Sequence, residues 1–174
     1  APKTLPLFRV TWYAFNGGVK LSIEKVRKYF AARGMEDQIL EFDVSSATVE
    51  LAAKALNCDG CLIAKTLSFL VHDDVILIVA PGDVKIDNHK YKMHFGVKAK
   101  MLPAGEAENL IGHAVGGVCP FAVNDGVKVF LDESLKRFEF VYPACGSSNS
   151  AVKLTIPELE KNTDHFSGWV DVCK

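Results

Sequence analysis

Between Cys61 and Val71 the chain reads Cys-Leu-Ile-Ala-Lys-Thr-Leu-Ser-Phe-Leu-Val, and Val75 to Ala80 is apolar throughout. Runs of this kind, bounded by Gly60, by His72-Asp73-Asp74 and by Pro81-Gly82, predict two largely buried strands joined as a hairpin. Elsewhere the apolar period is helical. Val26, Tyr29 and Phe30 predict a helix that starts at Ser22 as N-cap and stops at Gly34, and Val49, Ala52, Ala53 and Leu56 predict another over 47–56. Further helices are expected over 86–95, from Pro103 through Leu110, and from the capping box Thr155-Ile156-Pro157-Glu158 to about Lys161. Short strands are expected at 38–42, 99–102, 128–131, 138–142, 151–154 and 169–172, with a turn or short helix at 132–134. Hairpins mixed with crossovers predict a single mixed α/β domain with one sheet.

One charge interrupts the longest apolar run. Alternation puts Lys65 on a strand face with Cys61, Ile63, Leu67, Phe69 and Val71. An unpaired buried charge costs several kcal/mol, roughly, so this ammonium needs an anion or a wet cleft. A lysine snorkelling at a sheet edge, or paired with an internal carboxylate, is one answer; a cation at the floor of a ligand pocket is the other.

Two glycine-rich stretches favour a pocket. Gly112-His113-Ala114-Val115-Gly116-Gly117-Val118-Cys119-Pro120 permits left-handed dihedrals and close backbone approach, and freed amides in such a loop bind anions or carbonyls. A tight connection between sheet elements would use the same residues, and no Lys-Ser or Lys-Thr follows to make a phosphate loop. The second stretch, Ala144 to Ser150, includes Gly146, Ser147, Ser148 and Asn149, whose small polar side chains suit a pocket rim or a plain turn.

Composition narrows the field. With 174 residues, 49% of them hydrophobic, the chain can build one sizeable core. A formal net charge of −1 announces no global affinity for nucleic acid. Lys85, Lys90, Lys92, Lys98 and Lys100 do gather with His89 and His94, as a solvated helix face or a phosphate-facing patch would. No apolar stretch is long enough for a membrane helix, and residues 1–20 do not read as a secretory signal. Five cysteines without an extracellular framework point to a reducing compartment, hence the cytoplasm. Cys58-Asp59-Gly60-Cys61 sits between a helix end and a strand start, the wrong place for a thioredoxin-type pair, and no second pair completes a zinc site. No metal or cofactor is expected. There is no Gly-x-Ser-x-Gly elbow, no His-Glu-x-x-His and no compact Cys-His arrangement, and His113 in itself reads as structural.

The strand Ile63-Ala64-Lys65-Thr66-Leu67, the loop Gly112 through Gly116-Gly117-Val118-Cys119-Pro120 and the segment Tyr142 to Leu154 together resemble the YbaK family. That family is related to the inserted editing domain of bacterial prolyl-tRNA synthetases. The likeness covers residues 21–174 and leaves 1–20, with the aromatic run Thr11 to Phe15, as an N-terminal extension. It implies a curved mixed sheet flanked by helices, and trans-editing hydrolysis of the ester of mischarged aminoacyl-tRNA, of the Cys-tRNA(Pro) or Ala-tRNA(Pro) type. The partners implied are the 3′ acceptor end of the tRNA and prolyl-tRNA synthetase. A non-catalytic tRNA- or nucleotide-binding module on the same fold is the alternative.

Carried onto this chain, Lys65, Gly116 and Gly117 take the catalytic positions: Lys65 contacts the terminal nucleotide, and Gly116 to Pro120 hold the aminoacyl group near the attacking water. Phe42, Thr66, Gly112, His113, Val118, Cys119, Pro120, Gly146, Ser147, Ser148 and Asn149 complete the substrate-binding set. Members of the family commonly lack a side-chain nucleophile, and an activated ester needs little more than oriented amides and a placed water. Phe42, Val44 and Ala151 depart from residues that some relatives carry, which bears on the choice of amino acid.

Overall fold

A computed structural model describes residues 17–174; the aromatic run Thr11 to Phe15 lies outside them. The predicted hairpin is the centre of the structure. Strands β2 (Ile63–Val71) and β3 (Asp74–Pro81) pair antiparallel from Ala64↔Pro81 to Val71↔Asp74, turning at His72, whose φ of 55° is left-handed. Around this hairpin β4 (Lys128–Asp132), β5 (Phe140–Pro143), β7 (Leu154–Thr155) and β8 (Phe166–Val170) complete a mixed six-stranded sheet in the order β7-β5-β2-β3-β4-β8. The pairs β2–β5, β3–β4 and β4–β8 are parallel.

The single expected sheet is accompanied by a second, two-stranded one: β1 (Ile39–Glu41) pairs antiparallel with β6 (Ser150–Val152). The strand expected over 151–154 is thereby divided at the exposed Lys153, because Ser150–Val152 answer to β1 and Leu154–Thr155 to β5.

Helices flank the sheet. Helix α1 (Gly17–Ala31) begins before the expected cap, so Ser22 lies inside it and the boundary drawn at residue 20 falls within a helix. Helix α2 (Val49–Leu56) starts where Thr48 Oγ1 accepts from Leu51 N at 3.2 Å and ends at Asn57, φ 51°. Asp87 caps α3 (Asn88–Phe95), and a 3-10 turn at Ala104–Glu106 precedes the short α4 (Ala107–Leu110). In α5 (Ile156–Asn162) the capping box forms as expected, with Thr155 and Glu158 each bonding the other's backbone amide.

The two faces of the sheet carry two cores. Ala64, Leu77 and Val79 belong to the larger, with Val26 and Phe30 of α1 and with Phe121, whose ring meets that of Phe30 edge-on at 4.7 Å. Phe69, Ile76, Ile78 and Ala80 belong to the smaller, with Tyr91 of α3 and Val172. No described helix is long and apolar enough to cross a membrane.

Candidate active site

On its outer edge β2 is covered in two pieces. β5 pairs with Ile63 and Ala64, while the expected 99–102 strand is reduced to a bridge that exchanges bonds with Ser68 and Leu70. Neither piece reaches Thr66. A cleft of about 220 Å³ lies over this gap. Its floor is β2, including Ala64, Thr66 and Ser68, and Gly116 and Val118 form one lip. Ser46 to Val49 and Ala52 make one wall, and Tyr142, Ala144, Ser150 and Ala151 make the other. Small side chains dominate, and Lys65 is the one charged residue among the described residues that line it.

Lys65 finds partners other than the expected anion. Its strand neighbour across the hairpin, Ala80, belongs to the smaller core, so the side chain runs along that face to the end of β3. There Nζ donates to the carbonyl oxygens of Gly82, at 3.4 Å, and of Val84. An ammonium has three N–H donors, so two carbonyls leave one. The loop that supplies them is held on both sides. A Cβ on Gly82 would lie 2.1 Å from Gly60 O, and Asp83 takes a two-point contact from Arg137, at 2.7 and 3.1 Å, which holds the Asp83 carboxyl below its ordinary range.

The glycine loop enters the protein at alternate residues. Gly116 has φ +84° and sits at the cleft with Val118, whereas Gly117, Cys119, Pro120 and Phe121 are buried behind it. The Gly117 amide, expected to face substrate, instead donates to Ala114 O at 3.0 Å; among the described residues the amides of Gly116 and Val118 have no such acceptor. Gly117 also accounts for the second glycine-rich stretch. Gly146 N donates to Gly117 O at 3.1 Å, and a Cβ on Gly117 would come within 2.5 Å of Gly146 C and Ser147 N.

Gly146, Ser147, Ser148 and Asn149 therefore brace the site from behind, and the wall itself is formed by their neighbours. Ser148 O accepts from Ser46 N at 2.6 Å, Phe42 N donates to Asn149 O at 2.8 Å, and Asn149 Nδ2 returns a bond to Phe42 O at 3.0 Å. Through these contacts the stretch fixes the chain that leads into α2. Gly112 and His113 stand outside the lining as well. His113 Nε2 donates to Phe121 O at 2.7 Å, and burial pushes its pKa down to about 4.

The site offers no side-chain nucleophile with its base. Cys119 Sγ lies 3.5 Å from His113 Nε2, yet that nitrogen carries the proton it gives to Phe121 O and cannot accept another. Burial drives the Cys119 thiol pKa far up and that of Cys145 to about 12, so neither presents a thiolate. Cys58 is also shifted up, by burial first and then by Asp59 and Cys61, the opposite of what a redox pair requires. Replacing Cys58 and Cys61 by serine should leave whatever the cleft does within about twofold of wild type. A collapse with the fold intact would restore a redox role.

The family profile described as "Aminoacyl-tRNA editing domain" matches residues 44–162, which contain the floor, the lip and both walls. The chain belongs to that family. It is 50% identical over 156 residues to the uncharacterized protein YwhH of Bacillus subtilis (strain 168), covering 88% of this chain and 98% of that one. It is 23% identical to a proline--tRNA ligase of Lactiplantibacillus plantarum (strain ATCC BAA-793 / NCIMB 8826 / WCFS1), over 72% of this chain but 22% of the ligase. A crystal structure described as a proposed trans-editing enzyme for prolyl tRNA synthetase superposes with a TM-score of 0.78 at 26% identity, over 88% of this chain and 97% of that chain.

Several lining residues of this editing domain escaped the sequence reading: Ser46 to Val49, Ala52, Ser68 and Tyr142; Ala144 and Ser150, the two ends of the stretch expected as a rim, do line the cleft. The Thr48 cap was the available signal for the first group, since a helix start held by its own cap can serve as a rigid wall. Ala151, noted as a departure from some relatives, does line the cleft, while Phe42 does not and Val44 is 60% exposed.

Proposed function

We propose that this editing domain acts in trans as an aminoacyl-tRNA deacylase, cleaving the ester between a small, wrongly attached amino acid and the 3′ end of a tRNA. Small mismatched esters of tRNA(Pro), of the cysteinyl and alanyl type, are its substrate class, in the cytoplasm and beside prolyl-tRNA synthetase. One observation carries the reading: a small cleft in an editing-domain fold, lined by small side chains, with Lys65 as the one charged residue among the described residues that line it and no activated nucleophile. Its volume of about 220 Å³ falls below the roughly 300–1,000 Å³ of clefts that hold drug-sized ligands.

In this account water is the nucleophile. The amides of Gly116 and Val118 face the ester carbonyl and stabilise the oxyanion as water adds. Gly117 acts behind them, fixing the loop against Gly146 and Ser147. The remaining N–H of Lys65 points the acceptor end into place, and the departing ribose oxygen takes the proton released by the attacking water.

Hydrolysis separates this account from a binding module. With tRNA(Pro) carrying labelled alanine or cysteine, the purified chain is expected to release the amino acid well above the spontaneous rate. A chain that binds the charged tRNA and preserves its ester would overturn the proposal. No group of three or more His, Cys, Asp or Glu suited to a metal occurs among the described residues, and the proposed mechanism draws on backbone amides and the ribose oxygen. Activity is therefore expected to survive exhaustive chelation. Loss on chelation with recovery on adding zinc would contradict the mechanism.

A further inference from the structure

The polar groups on the cleft floor remain unexplained by a reading that requires only a small amino acid. Thr66 and Ser68 are two residues apart on β2, so their side chains leave the same face of the strand, and both line the cleft. The Thr66 hydroxyl is buried without a hydrogen-bond partner, one of two such side-chain atoms among the described residues. The other, the Tyr91 hydroxyl, lies in the smaller core and not in this cleft. Leaving a buried hydroxyl unsatisfied carries the full desolvation penalty of that group, and an apolar isostere in its place would carry none. The remaining cleft serines differ, since Ser46 Oγ donates to Ser148 O at 3.4 Å and Ser150 Oγ pairs with Ser147 Oγ at 2.7 Å. Thr66 is also the position that neither β5 nor the 100–102 segment covers on the strand edge.

We propose that Thr66 and Ser68 form a subsite that reads a hydroxyl on the side chain of the bound amino acid, so that seryl esters are selected over apolar esters of the same size. The inference rests on the deacylase reading and adds a substrate class to it. A hydroxyl both donates and accepts, so a ligand hydroxyl entering over the gap satisfies Thr66 Oγ1 and takes a second bond from Ser68. A step of about 120° in χ1 carries Oγ1 to a neighbouring staggered position, which lets it turn to the incoming group without moving the strand. The walls fit this assignment: Ala144 and Ala151 on one side and Ala47 and Ala52 on the other leave room for a short side chain. Alanyl esters enter the same space but leave Thr66 unpaired, and a site built around a substrate hydroxyl discriminates strongly against analogues that lack it.

The probes are seryl and 2-aminobutyryl groups, in which a hydroxyl and a methyl occupy the same place. Their tRNA(Pro) esters are compared for hydrolysis, and the corresponding non-hydrolysable amides of 3′-amino-3′-deoxyadenosine for binding. Wild type should favour the seryl probe by about tenfold or more in both measurements. Thr66→Val, which keeps the side-chain shape, should bring the ratio close to one, and Ser68→Ala should lower it. A wild-type ratio near one, or a ratio that neither variant changes, overturns the subsite. The binding arm separates the two claims: selective binding of the seryl amide with no ester cleaved would sink the deacylase reading and retain the subsite.

Discussion

Gly117→Val should abolish deacylation, with the rate falling by about 10²–10³ or more, while Cys119→Ser should keep most of the activity. Any side chain at 117 meets backbone, not a flexible side chain, because its Cβ would lie 2.5 Å from Gly146 C and Ser147 N and 2.7 Å from Gly146 O. Either the glycine loop or the 146–149 stretch must then move, and the first displaces the Gly116 and Val118 amides while the second releases Ser46 and the start of α2. Gly116→Ala supplies a version that separates site damage from unfolding. It forces a Cβ onto a residue at φ +84°, 3.0 Å from Ala47 Cβ and 3.2 Å from Ser148 Cβ, at the mouth of the cleft. Its activity should fall by at least about tenfold with the circular dichroism spectrum retained. Cys119 is buried with its thiol held protonated, and a serine hydroxyl can take over its bond to Phe121 O. Active Gly117→Val with inactive Cys119→Ser would replace backbone catalysis by a thiol nucleophile.

Lys65→Ala should cut kcat/KM for a mischarged tRNA at least about tenfold, equivalent to roughly 1.4 kcal/mol of transition-state stabilisation. The contacts to Gly82 O and Val84 O show how the loss would divide. Part would be the N–H proposed to meet the acceptor end, and part the support of the loop that follows β3. Lys65→Met keeps the aliphatic stem and removes the ammonium, so it tests the charge with less disturbance of packing. Full activity in both variants would return Lys65 to a purely structural role. Unfolding of both would do the same.

The hairpin and the α5 capping box were legible because each is specified locally. The first rests on two apolar runs around His72-Asp73, and the second on Thr155 and Glu158 three residues apart. The start of α1 was not, since Ser22 can cap a helix or continue one and only the preceding chain decides. Nor does alternation reveal that 151–154 is two strands, because the division at Lys153 comes from partners as distant as β1 and β5.

The site shows the same divide. Lys65 and the glycine loop stand out in the sequence by residue type, and both lie at the cleft. What the ammonium bonds to depends on two carbonyls, 17 and 19 residues along the chain. The division of labour between Gly116 and Gly117 depends on which one meets Gly146. The exposed edge at Thr66 arises from where β5 ends and the 100–102 segment begins, a property of the assembled sheet that no local pattern encodes.

The rates at which the purified chain releases alanine, cysteine, serine, proline and phenylalanine from the same tRNA(Pro) test the proposed deacylation most directly. Hydrolysis of the small mismatched esters is expected well above their spontaneous loss, with the phenylalanyl ester released least because the cleft is small, about 220 Å³. Equal release of all five, or of none, would contradict it.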